Sequence, residues 1–372
     1  MIPARMLLAL TLGSVVCACG GGGGSSGSST PPPPPASRTL LYVANESAGT
    51  IDGFTVDTST GAPTPISGSP LADGPMPRAI AIDPQKRFLY VASSAGEVRG
   101  YLLNSSTGQL TAMSGSPFLT GAQSVAIAVD PSGQFVLTAN GSSNTVSVFK
   151  IGSSGALAEV TGSPFAAGTD PDAIVVAPGN HVYAGNAGGG SVSAYSMDMA
   201  SGALTALAGS PFAAGGDPLG LVVDPAGAHL YAADTQPSGV SGFAIDSGTG
   251  ALTAIPGSPF TAPNGALSVV MDGAGKLLHI ANGTNVDCYT VDASSGALAY
   301  IGPSVTNGRA VALAVDATDN FLYALDNVDN QIEVFSIGTT NYYLSLTAGN
   351  PFPLFPGSST QSLGPMSIVA VH

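Results

Sequence analysis

Apolar residues recur along this chain in two rhythms. One is alternation, as in Thr145-Val146-Ser147-Val148-Phe149, where apolar and polar positions trade places every residue. Such alternation puts the two kinds of side chain on opposite faces of a strand. The other is an unbroken run of small apolar residues, at 79–82, 125–129, 173–176, 219–223, 267–271 and 310–315. Strands covered on both faces read this way. No window carries a helical 3.6 period.

The two rhythms belong to one repeat. A Leu-Tyr-type strand recurs at Leu41-Tyr42-Val43, Leu89-Tyr90-Val91, Val136-Leu137-Thr138, Val182-Tyr183-Ala184, Leu230-Tyr231-Ala232, Leu278-His279-Ile280 and Leu322-Tyr323-Ala324. The spacing of about 44–48 residues suits four strands per unit and therefore propeller blades. Within a unit, the Leu-Tyr strand precedes the alternating strand. A Ser/Thr-Gly turn then leads to a third strand, as in Ser201-Gly202-Ala203-Leu204-Thr205. Gly-Ser-Pro-Phe follows at 115–118, 162–165, 209–212 and 257–260. Proline there is expected to stop pairing, and the aromatic to plug the gap between blades. The small apolar run is expected nearest the axis, where blades converge, with a turn such as Asp83-Pro84 after it.

Counting the units gives the fold class: an all-β, seven-bladed propeller with four-stranded blades. The first Leu-Tyr strand has no inner strand before it, while Met366-Ser367-Ile368-Val369-Ala370-Val371 stands unused at the other end. The C-terminal strand is therefore expected to complete the first blade and close the ring, which removes exposed sheet edges. The propeller is read as residues 39–372.

Composition refines this reading. The chain has 372 residues, 50 glycines, 29 prolines, no tryptophan and a net charge of −14. Diffuse acidity argues against a nucleic-acid partner, which needs clustered Lys and Arg. A monomer is expected. Only Cys288 of the three cysteines lies outside the leader, so the globular part has no disulfide framework, and Cys288 reads as a small buried hydrophobe. Cys/His metal spacing is absent, and no cofactor is implied.

Residues 1–19 read as an export signal, with Arg5 ahead of an eleven-residue apolar run too short to span a bilayer. The run ends at Val16-Cys17-Ala18-Cys19, which resembles a bacterial lipobox and points to lipidation of Cys19. Residues 20–38 form a Gly/Ser-rich and then proline-rich tether, long enough to hold the domain roughly 30 Å from a membrane. The expected location is the bacterial cell envelope, with the membrane contacted through a lipid anchor.

The blades resemble the YVTN-type, 6-phosphogluconolactonase-like propellers known as the lactonase family. The likeness rests on Leu41-Tyr42-Val43-Ala44-Asn45, on the inner strand and Asp-Pro turn at 79–84, and on Val146-Ser147-Val148-Phe149. In the lactonase members a Pro-Arg-His stretch entering an inner strand, with a glutamate elsewhere, is implicated in catalysis. Lactone hydrolysis needs a base to activate water and a cation for the developing oxyanion. The matching stretch here is Pro77-Arg78-Ala79, so Arg78 fits and alanine stands where the histidine belongs. No glutamate is assigned from the sequence. His181, His229 and His279 occupy strand positions and read as structural, which leaves His372 as the one histidine near an inner strand.

Other motifs carry little chemistry. Asp326-Asn327-Val328-Asp329-Asn330 lacks the glycine and distal glutamate of an EF-hand and reads as a turn, with loosely held Ca²⁺ as the alternative. Gly188-Gly189-Gly190 has no following helix and is not a phosphate loop.

The loops entering the inner strands meet around the axis, and they present Arg78, Gln123, Asp172, Asp217, Asn264, Arg309 and Met366 as candidate ligand-binding residues. Arg78 and His372 are the catalytic candidates. The missing histidine favours a non-catalytic module that binds a ligand or a protein at one mouth. A lactone hydrolase and a structural or adhesive surface protein are the open alternatives.

Overall fold

Seven antiparallel sheets make up the described residues, one per repeat. The computed structural model describes residues 39–306, 308–340, 342–355 and 365–371. The leader with Cys19, the tether and His372 lie outside the described residues, as does the side chain of Met366.

The inner strands are Pro365–Val371 in blade 1, Pro77–Ile82 in blade 2, Ser124–Val129 in blade 3, Pro171–Ala177 in blade 4, Pro218–Val223 in blade 5, Ser268–Met271 in blade 6 and Ala310–Val315 in blade 7. Each pairs with the Leu-Tyr strand that follows it, except in blade 1. There Pro365–Val371 pairs antiparallel with Thr39–Asn45, from Leu40 opposite Val371 to Asn45 opposite Pro365. That C-terminal strand also contacts the inner strands of blades 2 and 7. The ring thus closes as the sequence predicts. Among the described residues there is no α-helix, only two short 3₁₀ turns at Gly141–Ser143 and Ala187–Gly189.

Seven apolar clusters hold the ring, one at each blade junction. Phe118, Phe165, Phe212, Phe260 and Phe352 pack against these clusters, as the repeat implies. The serine-proline step does not end the sheet, however. The hydroxyl of Ser116 accepts a 3.1 Å bond from the Gly100 amide, standing in for one ladder partner. Pairing then resumes at Phe118–Leu119. The same detour recurs through Ser69, Ser163 and Ser210. The serine oxygen stands in for a backbone carbonyl as acceptor of the neighbouring strand's amide, while proline itself has no N–H to give the ladder.

A second device locks neighbouring blades. Tyr42, Tyr90, Tyr183 and Tyr231 donate to the carbonyls of Gly108, Gly155, Gly250 and Gly296 in the next blade, at 2.5–2.8 Å. Those glycines have positive φ, and the side chain two residues before the tyrosine packs close against each of them, Leu40 on Gly108 and Phe88 on Gly155. A Cβ on Gly155 (φ 87°) would sit 2.7 Å from the Phe88 ring. His181 and His229 take the place of that phenylalanine over Gly250 and Gly296.

The inner hairpins are closed by buried aspartates. Asp83 and Asp130 each accept two backbone amides across the turn, from Arg87 and Phe88 and from Gln134 and Phe135. The Asp-Pro signal is therefore a side-chain cap as well as a turn.

Candidate functional site

Six inner strands enter the ring with a β-bulge, the one in blade 1 falling between Pro365 and Ser367. The register likewise skips one residue between Pro77 and Ala79, Ser124 and Ala126, Pro171 and Ala173, Pro218 and Gly220, and Ala310 and Ala312. A bulge leaves its residue unpaired and re-aims the side chain. Of the skipped residues, Arg78, Val125, Asp172, Leu219 and Val311 all line one cavity of about 220 Å³ on the axis, together with Leu267 of blade 6. The next position of every blade also lines it: Ala79, Ala126, Ala173, Gly220, Ser268, Ala312 and Ser367. Seven small residues leave room where the strands converge. Ala79, at the place of the family histidine, is one of them.

The cavity has one strongly polar sector. Arg78 Nη1 donates to Glu46 Oε2 at 3.3 Å. Glu46 directly follows the Thr39–Asn45 strand and is 6% exposed, and its Oε1 has no hydrogen-bond partner. Burial pushes the Glu46 carboxyl up in pKa, and Arg78 pulls it partly back. Asp172 is raised from the ordinary 3.8 to about 6, first by burial and then by the negative charge of Asp170, with Arg78 opposing. Arg78 thus stands in the field of two carboxyl groups, both with raised pKa.

The loop that delivers Arg78 is fixed from beneath. Buried Arg99 donates to Asp73 Oδ2 at 2.8 Å, and Tyr101 donates to Asp73 Oδ1 at 2.5 Å. Ser93 donates to the Pro75 carbonyl at 2.8 Å. Residues 73–75 are therefore tied to blade 2 just before the bulge.

Of the residues read from sequence, Arg78 and Asp172 come together at the cavity. Gln123, Asp217, Asn264 and Arg309 sit on the loops around it and do not line it. Gln123 accepts from the Ser142 hydroxyl, and Asn264 donates to Thr284 at 3.3 Å. Asp217 bonds through its backbone to Gln236 and Thr235, and the Arg309 amide donates to Asp326. The side chain of Met366 and all of His372 lie outside the described residues. Glu46 was not assigned from sequence. Its signal is a carboxylate directly after a fully buried strand, where other blades carry Ser94, Gly141, Ala187 or Thr235.

The remaining histidines are structural. His229 pairs with Asp224 at 2.8 Å. His279 is fully buried, its pKa pushed down to about 4 by that burial, and its Nδ1 lies 3.3 Å from Cys288 Sγ. Burial pushes the Cys288 thiol up to about 12, so it stays protonated and inert. Asp326 closes the 326–330 segment as a turn, accepting from the amides of Val328 and Asp329. Among the described residues, no group of three His, Cys, Asp or Glu side chains is placed to hold a metal ion.

Comparisons with known proteins follow the same outline. The family profile described as "Lactonase, 7-bladed beta-propeller" matches residues 40–352. A Bacteroides uniformis structure titled "putative 6-phosphogluconolactonase" superposes with a TM-score of 0.78 at 20% identity, covering 90% of this chain and 100% of that one. A Lactobacillus plantarum protein gives 0.72 at 21% identity, covering 90% and 99%. The Pseudomonas aeruginosa periplasmic gluconolactonase PpgL gives 0.72 at 20% identity, covering 86% and 98%. No curated protein sequence matches. At such identities the likeness is one of fold.

Proposed function

Because this chain belongs to the lactonase family of seven-bladed β-propellers, we propose that it hydrolyses a lactone in the axial cavity. The observation that carries this reading is Arg78, paired with Glu46 and facing Asp172, whose pKa is raised to about 6. A carboxylate poised near neutral pH suits a general base. Asp172 takes a proton from a water as its oxygen adds to the lactone carbonyl. Arg78 stabilises the developing oxyanion. The ring C–O bond then breaks, and the leaving alkoxide takes the proton from Asp172, giving the open hydroxy acid. Glu46 holds the guanidinium in place. With Ala79 at the histidine position, the base is a carboxylate instead.

Turnover of a panel of alkyl and sugar lactones tests the reading. Activity lost in Arg78→Ala supports it. No turnover of any lactone overturns it and leaves a binding module, the reading favoured by Ala79 and by the aliphatic residues at most bulge positions.

The leader adds an address. Lipidation of Cys19 would place the domain at the bacterial envelope, and the periplasmic gluconolactonase of similar fold supports that placement. Labelled palmitate incorporated by the wild type and lost in Cys19→Ala is the expected result.

A further inference from the structure

The bulge positions divide the mouth into two arcs. Arg78 and Asp172 come from blades 2 and 4, and Glu46 from blade 1. Leu219, Leu267 and Val311 come from blades 5, 6 and 7, which are consecutive around the ring. All three are half-buried, so aliphatic surface faces the open cavity. A single hydroxyl, Ser268, lines the cavity on that side. Among the described side chains, Val125, in blade 3, is the one aliphatic bulge residue within the charged arc.

The charge balance is equally one-sided. Among the described residues Arg78 is the one cation lining the cavity, and it already faces Glu46 and Asp172, with Asp170 close enough to raise Asp172 further. A phosphate dianion is normally held by several Arg, Lys or backbone N–H donors. Here it would meet one committed guanidinium among carboxylates. A polyhydroxylated ring would set hydroxyls against the Leu219–Leu267–Val311 arc without partners, and unpartnered polar groups are costly to bury. An alkyl group would cover that arc and gain about 25 cal/mol per Å² of apolar surface removed from water.

We infer that the site takes an uncharged lactone bearing an alkyl substituent, with its ester group on the Arg78–Asp172 side and its alkyl group on the Leu219–Leu267–Val311 side. As a statement about substrate it rests on the hydrolase reading above; as a statement about ligand chemistry it can be measured apart from turnover.

The test compares kcat/KM of the full chain for δ-decalactone, glucono-δ-lactone and 6-phosphoglucono-δ-lactone, and measures binding of the hydrolysis-resistant δ-decanolactam by calorimetry. The expected result is δ-decalactone ahead of glucono-δ-lactone by about tenfold or more, the range apolar pockets achieve, with the phosphorylated lactone not turned over. Leu267→Asn should shrink the ratio of kcat/KM for δ-decalactone over glucono-δ-lactone to near unity. Preference for either sugar lactone, or failure of the lactam to bind, overturns the inference even if hydrolysis occurs. Lactam binding with no lactone hydrolysed overturns the hydrolase reading and leaves the inference standing. The wild-type comparisons decide the matter should Leu267→Asn not fold.

Discussion

The hydroxyl of Tyr183 in blade 4 donates 2.8 Å to the carbonyl of Gly250 in blade 5, 67 residues further on. The same bond joins blades 1 to 2, 2 to 3 and 5 to 6. It links a core strand to the outer turn of the next sheet, so it acts on the junction rather than on either blade. Tyr183→Phe keeps the buried ring and strands a carbonyl. We expect a loss of about 1–2 kcal/mol, read as a lower midpoint in urea unfolding. An unchanged midpoint would mean the clasp adds nothing to blade docking.

Blade 1 breaks the pattern at one residue. Gly115, Gly162, Gly209, Gly257 and Gly349 each face the ring of the phenylalanine three positions later, at 3.4–3.8 Å from a notional Cβ. Gly68 has nothing within 4 Å, because residue 71 is leucine. A groove of about 160 Å³ opens there, lined by Tyr42, Gly53, Gly68 and Leu71 among others. Leu71→Phe should fill it and stabilise the fold by about 0.5–2 kcal/mol. Thermal unfolding checks this, and a lower Tm would show that the backbone of blade 1 cannot seat the ring.

Ring closure makes a sharper demand. Ile368 and Val371 are buried, and residues 365–371 cover the Thr39–Asn45 strand, whose seven positions are all buried. A chain ending at residue 364 exposes that strand as an edge. It should lose its cooperative thermal transition or aggregate, and a peptide of residues 365–372 added in trans should restore the transition. A truncated chain that melts like the wild type would contradict closure.

How far these features were legible in the sequence depends on what each rests on. The seven blades and the closing strand follow from periodicity, because strand order and burial are written in every repeat. The lining of the axial cavity is half legible: of the loop candidates Arg78 and Asp172 line it, whereas Gln123, Asp217, Asn264 and Arg309, which follow from the same loop logic, do not. What separates them is the bulge, a backbone event that rotates one residue per strand toward the axis. No residue type marks it, since Arg, Val, Asp and Leu all occupy it. Glu46 escaped notice because its partner, Arg78, is 32 residues away and joins it across blades.

Asp234 offers a test by pH alone. It is fully buried, with burial the first cause and nearby Asp217 a further cause of a pKa raised from 3.8 to about 6, while Ser241 opposes. The folded state therefore holds this proton more tightly than the unfolded chain. The stabilising contribution is complete below about pH 4 and lost as pH rises through about 6. Blades 3 and 4 carry asparagine at this place, donating to Ser147 at 2.9 Å and to Ser193 at 3.0 Å. Asp234→Asn should copy that bond and stabilise the protein by about 1–2 kcal/mol at pH 8, with little gain at pH 4. Equal gains at both values would show that the charge is not the cause.

The pH dependence of turnover separates the two cavity carboxylates. Asp172 must be ionised to act as base, so kcat/KM should rise with pH through a midpoint near 6. Asp172→Asn should remove that limb along with most of the rate, whereas Glu46→Gln should lower the rate and keep the limb. The decisive variant changes neither. Asp170 raises the Asp172 pKa by its charge alone and sits at φ 53°, a conformation asparagine tolerates well. Asp170→Asn should therefore move the midpoint below 6 while the plateau rate stays within about twofold. A midpoint that ignores Asp170, or a limb that survives Asp172→Asn, would assign the base to another group.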